Sequence, residues 1–257
     1  MNLISVVLIA KNEAHIIGDT IRSVLSLTDD IIVVDSGSTD GTQDIVRLLH
    51  GRLIETGWDG FGNNKNKGIE AARYDWILSI DSDEMPDEGL LRSLQSIDLT
   101  DPNNVYNIRF KTFLGARLIR YGEWGKDAHV RLFNRKKVRW NNAKVHEQLV
   151  LPQAIKTCTI EGYIMHYTMK DLADYSTKMT KYALLNAERY HHQGKQAGWI
   201  KRRFSPKFAF FQNYILKGGF LDGREGYLIA RMTAYYTFLK YERLYELCHS
   251  TNKKMLH

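Results

Sequence analysis

The segment Trp76-Ile-Leu-Ser-Ile-Asp-Ser-Asp-Glu84 constrains this chain more than any other. Its apolar half, about five residues long, suits a strand buried on both faces. Its other half holds three carboxylates, Asp81, Asp83 and Glu84, which are expected to emerge at the strand's C-terminal edge because unpaired carboxylates are not kept in a core. Two carboxylates two residues apart repel each other unless a cation sits between them. An oxygen-rich site of this kind suits Mg²⁺ or Mn²⁺, which in turn grip phosphate oxygens. The alternative is a strand followed by an acidic turn.

The first hundred residues repeat this pattern. Apolar, β-branched runs at Leu3–Ala10, Ile31–Val34, Leu53–Ile54 and Trp76–Ile80 alternate with helical spacing over Glu13–Leu27, Thr42–Leu49 and Asn64–Ala72. Thr39, Asp40 or Thr42 is available to cap the second helix. Such alternation predicts parallel strands joined by right-handed crossovers, with ligands bound beyond the C-terminal strand ends. Polar clusters follow three of these runs: Lys11-Asn-Glu13, Asp35-Ser-Gly-Ser38 and Asp81-Ser-Asp-Glu84. From about residue 105 to 150 the pattern turns irregular and β-rich, with short strands expected at Tyr106–Phe113, Val130–Phe133 and Val138–Trp140. From about residue 171 it is helical, over 171–193, 204–220 and 226–247, with Gly218-Gly219 as a break.

Charge is divided along the chain. Residues 178–257 hold 15 Lys/Arg against 5 Asp/Glu, a net of +10, whereas residues 1–177 carry a net of −3. A basic C-terminal third points to an anionic partner: nucleic acid, an acidic glycan or an anionic membrane surface. No nucleic-acid module is apparent, and an Asp-rich site repels phosphate without a metal, so nucleic acid is not expected. There is no apolar stretch of membrane-spanning length, and the N-terminus reads as a strand rather than an export signal. Cys158 and Cys248 are far apart and lack metal-site spacing, so free thiols in a reducing compartment are expected.

Asp35-Ser-Gly-Ser-Thr-Asp-Gly41 follows a buried strand and precedes a helix. A loop of this kind can hold a nucleoside, because its carboxylate accepts from base or ribose donors and its small residues allow close approach. Neither the Gly-x-Gly-x-x-Gly fingerprint nor a phosphate loop is present. The alternative is a tight turn with a capping Thr.

With these residues in view, the ordered segments Ser5–Glu13, Ile32–Thr42, Asn64-Lys-Asn66 and Ile80–Glu84 resemble the motifs of family 2 glycosyltransferases. The resemblance implies a GT-A (Rossmann-like) α/β fold, with a mixed, mainly parallel sheet, flanking helices and here a helical basic C-terminal extension. It implies a nucleotide-diphospho-sugar donor (a UDP-sugar), an inverting mechanism, and a catalytic domain over 1–170 followed by a helical region over 171–257 for acceptor or membrane-surface binding. Gly122–Phe133, Val145-His-Glu147 and Gly219-Phe-Leu-Asp-Gly223 resemble a narrower branch that includes lipopolysaccharide-core β-glucosyltransferases, so a saccharide or glycolipid acceptor is implied.

By resemblance, Ala10, Asn12 and Glu13 meet the nucleoside, although Ile9-Ala10-Lys11 replaces the Pro-Thr-Tyr of many members, so a hydroxyl contact is lost. Asp35, with Ser36 and Gly37, contacts uracil or ribose. Lys65 matches a cation near the diphosphate, against the alternative of a solvated helix lysine. Asp81 and Ser82 face the ribose or a metal-bound water, and Asp83 binds the metal. His166 falls where many GT-A enzymes place a further metal ligand, with His146 as a weaker substitute and a core histidine as the alternative. Glu147 is the expected general base, against a strand-edge carboxylate paired with Lys144 or Arg139. Asp127 is the runner-up, in a loop with Trp124, His129 and Arg131 that reads as acceptor-binding. The aromatic and basic stretch Lys201–Lys217 is expected at a membrane interface, placing the protein on the cytoplasmic face of the inner membrane; the alternative is a packed helix with solvated lysines.

Overall fold

A computed structural model describes residues 3–125, 127–142, 147–169 and 172–254. The chain forms two compact units, residues 1–111 with 128–166, and residues 112–127 with 167–257.

In chain order the first unit begins β1 (Ile4–Ala10), α1 (Ile17–Val24), β2 (Ile31–Asp35), α2 (Thr42–Leu48), β3 (Arg52–Glu55), α3 (Phe61–Ala71) and β4 (Trp76–Asp81). β1 pairs in parallel with β2 on one side and with β4 on the other, and β3 extends the sheet beyond β2. The expected strand–helix alternation is therefore realised. Because β2 and β4 flank β1 on opposite sides, the chain reverses its winding there, and in open α/β sheets such a switch point is where ligands bind, at the carboxyl ends of the strands.

The pleat explains the continuous apolar runs. Ile4, Val6 and Leu8 of β1 pack with Ile17, Ile21 and Val24 of α1 on one face of the sheet. Val7 packs with Ile69 of α3, Ile32, Val34 and Ile77 on the other. Both faces are covered, so both sets of alternate residues must be apolar.

The rest of the sheet is antiparallel. After β5 (Glu84–Pro86) and α4 (Glu88–Ser96) come β6 (Asn104–Leu114), β7 (Arg117–Ile119), β8 (Ala128–Asn134), β9 (Arg139–Trp140), β10 (Leu149–Val150) and β11 (Lys156–Met169). The sheet runs β3-β2-β1-β4-β8-β6-β11-β5, with β7 paired to β6, so β5 stands four places from β4 in the pairing order although two residues separate them in sequence. The sequence reading places no helix at α4 and no strand at β5 or β11. The signal for α4 was present: Asp87 caps it by accepting from the Leu90 N–H at 2.9 Å, and Leu90 and Leu94 fill the core. α1 is shorter than expected, since Glu13–Ile16 form a turn whose Glu13 carbonyl accepts from the Ile16 and Ile17 N–H groups.

The second unit contains α5 (Leu172–His192), α6 (Trp199–Phe211), a π-helical turn (Gln212–Leu216), a 3₁₀ turn (Gly219–Asp222) and α7 (Gly223–Lys254). The break at Gly218 is a left-handed residue with φ of 71°. Residues 112–127 belong to this unit, and two buried side chains hold them. Asp222 accepts from the Tyr121 N–H at 2.8 Å and from the Arg120 N–H. Asn213, turned inward by the π turn, accepts from the Glu123 N–H at 3.2 Å and donates to Thr233. Asp222 of Gly219-Phe-Leu-Asp-Gly223 and Asn213 of the π turn therefore clamp the 120–123 loop together. Among the described residues no helix is long and apolar enough to cross a membrane.

Asp222→Ala should remove the charged acceptor of two backbone N–H groups and cost about 1–3 kcal/mol. Amide exchange at Arg120 and Tyr121 is expected to accelerate along with the loss in a denaturant titration, and Asp222→Asn to lie between the two.

Candidate active site at the carboxyl ends of β1, β2 and β4

Two loops are laced together at the ends of β1 and β2. Ala10 pairs in register with Asp35, and its carbonyl accepts from the Ser36 N–H at 3.0 Å. Asn12, in the left-handed region with φ of 58°, offers its N–H to Ser38 Oγ and its Oδ1 to the Thr39 N–H. The Glu13 N–H bonds Thr42 Oγ1, and the Ala14 N–H bonds Asp40 Oδ2. The N-cap of α2 is Gly41, in the left-handed region, rather than any of the three expected residues, although Asp40 accepts from the N–H of Thr42, the first helical residue.

Asp35 is fully buried, and its carboxylate is served by its own loop. Oδ1 accepts from the Gly37 N–H, the Ser38 N–H and Gln43 Nε2, and Oδ2 accepts from Ser38 Oγ. Burial alone would raise its pKa, but these donors outweigh it and hold the carboxyl below the usual range. Ser36 Oγ accepts from Asn64 Nδ2 at 2.8 Å. Gly37 has φ of 86°, and a Cβ there would meet open space, so the loop is open on that side.

The end of β4 is a charge network. Lys65, 3% exposed, reaches Asp81 Oδ1 at 3.1 Å and Glu147 Oε1 at 2.8 Å and lies over the Trp140 ring. It is not a solvated helix lysine. Arg131, also buried, holds Asp81 Oδ2 at 3.2 Å and Glu84 Oε1 in a shorter contact. β8 delivers it, because β8 pairs antiparallel with β4, Leu132 opposite Leu78. The sequence reading assigns Arg131 to substrate; the structure places its guanidinium on the acids at the end of β4. Glu84 does not emerge at the rim as expected. It is 1% exposed, because Arg131 and the Asp81 N–H satisfy its oxygens. The expectation assumed an unpaired acid, and pairing removes its force.

The electrostatics follow from this pairing. Burial would raise Asp81, but Lys65 and Arg131 outweigh it and hold this carboxyl far below the usual range. Glu84 is pushed up to about 7 by burial, with Arg131 opposing and Asp81 adding to the rise. Burial works against the charge on Arg131, yet Glu84 and Asp81 hold it firmly protonated.

Asp83 lies in the turn between β4 and β5, and its Oδ2 is 3.5 Å from His166 Nε2. His166 stands opposite Glu84 in the β5–β11 register, which carries it across more than eighty residues of chain to the acidic turn. Burial would lower the His166 pKa, but the Asp83 hydrogen bond and charge raise it overall. It also packs edge-on against Phe110 at 6.0 Å. Ser82 is buried, and its carbonyl accepts from Thr20 Oγ1 at 2.6 Å, which anchors the turn to α1.

α3 positions Lys65. Asn66 Nδ2 donates to the Trp140 carbonyl and its Oδ1 accepts from the Trp140 N–H, so α3 clamps β9. A Cβ at Gly62 would lie 1.9 Å from the Asn141 carbonyl oxygen, so only glycine permits this approach. The clamp places Glu147 beside Lys65. Arg139, the other described partner considered for Glu147, pairs with Glu70 instead. His146 and Lys144 lie outside the described residues. Trp124 and Asp127 belong to the second unit, where Trp124 packs edge-on against Tyr175 at 5.2 Å.

Asp83 and His166 offer one oxygen and one imidazole nitrogen at adjacent positions. Among the described residues no group of three or more His, Cys, Asp or Glu converges as a metal site. A Mg²⁺- or Mn²⁺-class ion fits a two-residue set when diphosphate oxygens and water supply its other ligands.

The family model for glycosyl transferase family 2 matches residues 5–156. A lipopolysaccharide core biosynthesis glycosyltransferase of Rhizobium meliloti, LpsC, is 28% identical over 253 residues, covering 95% of this chain and 92% of that protein. An uncharacterized glycosyltransferase of Rickettsia typhi is 26% identical over 261 residues, covering 96% and 88%. Among solved structures, glucosyl-3-phosphoglycerate synthase of Mycobacterium tuberculosis, in complex with Mn²⁺, UDP and glucosyl-3-phosphoglycerate, is 29% identical over 44% of each chain, with a TM-score of 0.35. With the family model spanning more than half of its length, from the second residue of β1 through β4 and beyond, the chain belongs to glycosyl transferase family 2 and has the GT-A fold.

Proposed function

We propose that this glycosyltransferase moves a hexose, in the first instance glucose, from a UDP-sugar to a saccharide of the lipopolysaccharide core, with inversion at C1. The observation that carries this reading is the buried Lys65 ammonium shared by Asp81 and Glu147. One cation ties the acid at the donor end of the crevice to the carboxylate that is free to act on an acceptor. The likeness to LpsC over nearly the whole length of both chains supports the acceptor class. A core acceptor is held on lipid, so the enzyme would work at the cytoplasmic face of the inner membrane, as a peripheral protein and without nucleic acid as a partner.

In this mechanism the loops of Ala10, Asn12, Glu13 and Asp35–Gly37 receive the nucleoside. Asp35 is already saturated by its loop, so it acts mainly by holding Ser38 and Gln43 in place, and the open side of Gly37 admits the ligand. Asp83 and His166 would hold Mg²⁺ or Mn²⁺, which supplies neutralisation of the charge that grows on the leaving diphosphate. The end of β4 suits that ion: Asp81, Asp83, Glu84 and Glu147 stand against the two permanent cations Lys65 and Arg131. Glu147 takes the proton of the acceptor hydroxyl as its oxygen attacks C1 and the bond from C1 to the phosphate oxygen breaks. Lys65 orients Glu147 through their 2.8 Å contact. Asp127 would take the role of base only if Glu147 did not hold it.

Glu147→Gln, which keeps an oxygen for Lys65, should leave UDP binding unchanged and reduce transfer by roughly 10²-fold or more. Wild-type turnover in that variant would pass the role to Asp127. Asp83→Ala should abolish the manganese-dependent part of the thermal stabilisation by UDP; undiminished stabilisation would remove Asp83 from the metal site. For the nucleoside loop, a carboxyl whose folded pKa is depressed stabilises above its unfolded pKa of about 3.9, and that contribution is lost as pH falls through the lower folded value. Asp35→Asn should therefore cost about 1.5–3 kcal/mol at pH 7, with the deficit shrinking below the unfolded pKa. Urea titrations at pH 7 and at a pH below about 3.9 read it directly.

A further inference from the structure

α6 has no buried residue along its thirteen positions, although it packs against α7. Its outward stripe is apolar. Ile200, Phe204, Phe208, Phe211 and, on the π turn, Ile215 recur at helical spacing and are 45–69% exposed. Trp199 lies edge-on to Phe204 at 5.9 Å, and Leu216 at the end of the π turn and Phe220 and Leu221 beyond it are also exposed. A contiguous ring-bearing surface of this kind marks a place that something covers.

Charge identifies the cover. Lys201, Arg203 and Lys207 are exposed along the same helix, and Lys207 Nζ sits over the Phe204 ring. α6 contains no acidic residue, and the Glu242 carboxylate of α7 is taken by Arg202 at 2.6 Å. Beside the stripe, Trp199, Arg203, Lys207, Tyr235 and Phe238 line a groove of about 490 Å³ between α6 and α7. Two copies facing each other through this surface would bring like charges together. An anionic bilayer instead pairs those cations with headgroup phosphates while the rings enter the acyl boundary.

We infer that the outward face of α6, with the adjoining α6–α7 groove, docks this protein on an anionic phospholipid surface. The inference deepens the reading of a membrane-held acceptor and rests on it for its purpose, but its test needs no acceptor. The full chain is sedimented with vesicles of phosphatidylcholine alone or with phosphatidylglycerol added. Binding is expected to the anionic vesicles and not to the neutral ones, and to fall with added salt. The combined Phe204→Ser, Phe208→Ser and Phe211→Ser variant should bind at least roughly tenfold more weakly. Its thermal unfolding and its stabilisation by UDP should stay at wild-type values. Should that variant fail to fold, Lys201→Glu with Arg203→Glu and Lys207→Glu serves the same purpose, since these side chains are exposed. Failure to bind either vesicle, or wild-type binding by the variants, would overturn the inference. So would a concentration-dependent dimer that the same substitutions abolish, because the face would then belong to a second copy. Transfer to a soluble, lipid-free acceptor without vesicles tests the catalytic reading separately.

Discussion

Asp81 stands at the end of a strand buried on both faces, between an ammonium and a guanidinium that are themselves almost wholly buried. Each of these charges would be costly alone, and removing one partner from such a set costs about 3–5 kcal/mol because an uncompensated charge is left behind. The pairing therefore dictates where the surrounding elements go. Lys65 fixes the approach of α3, Arg131 fixes the height of β8 beside β4, and Glu84 is drawn under the turn, which leaves Asp83 at its tip. Glu147 joins through the same ammonium. The end of β4 is thus built around two protein cations and the carboxylates they hold.

The loops at the ends of β1 and β2 are organised differently. There the interactions are hydrogen bonds to backbone N–H groups, made by Asn12, Ser38, Asp40, Thr42 and Asp35. Irregular loops have no ladder to satisfy their amides, so small polar side chains take that part. The result is a preorganised rim in which residues read as ligand contacts also serve as the loop's own scaffold. Preorganisation of this kind reduces the ordering that binding must otherwise bring about.

The second unit follows another logic again. Its interior is held by Asp222 and Asn213 gripping the 120–123 loop and by a cluster of Ile119, Met169, Tyr175 and Ile229. Its α6 surface is left apolar and basic. A helix that keeps its rings in water forgoes about 25 cal/mol for each Å² it fails to bury. The sequence gains nothing in folding from that stripe, which is why the stripe is informative about what lies outside the molecule.

The sequence alone determined the parallel α/β half, because strands buried on both faces read as unbroken apolar runs and their polar ends must collect on one edge. It also marked the break at Gly218 and the acidic turn at 81–84, where local chemistry leaves little choice. It did not disclose α4, although Asp87 and the spacing of Leu90 and Leu94 carried the signal, nor β11, whose half-buried alternation competes with loop composition over its length. Only the tertiary structure decided which charge meets which. That Glu84 is buried, that Arg131 pairs with Asp81, that Lys65 bridges to Glu147 and that His166 reaches Asp83 all depend on strand order and register between segments some fifty to eighty residues apart. Pairing energy in a core depends on distances of a few ångströms, and sequence spacing holds no such distances until the sheet has set them.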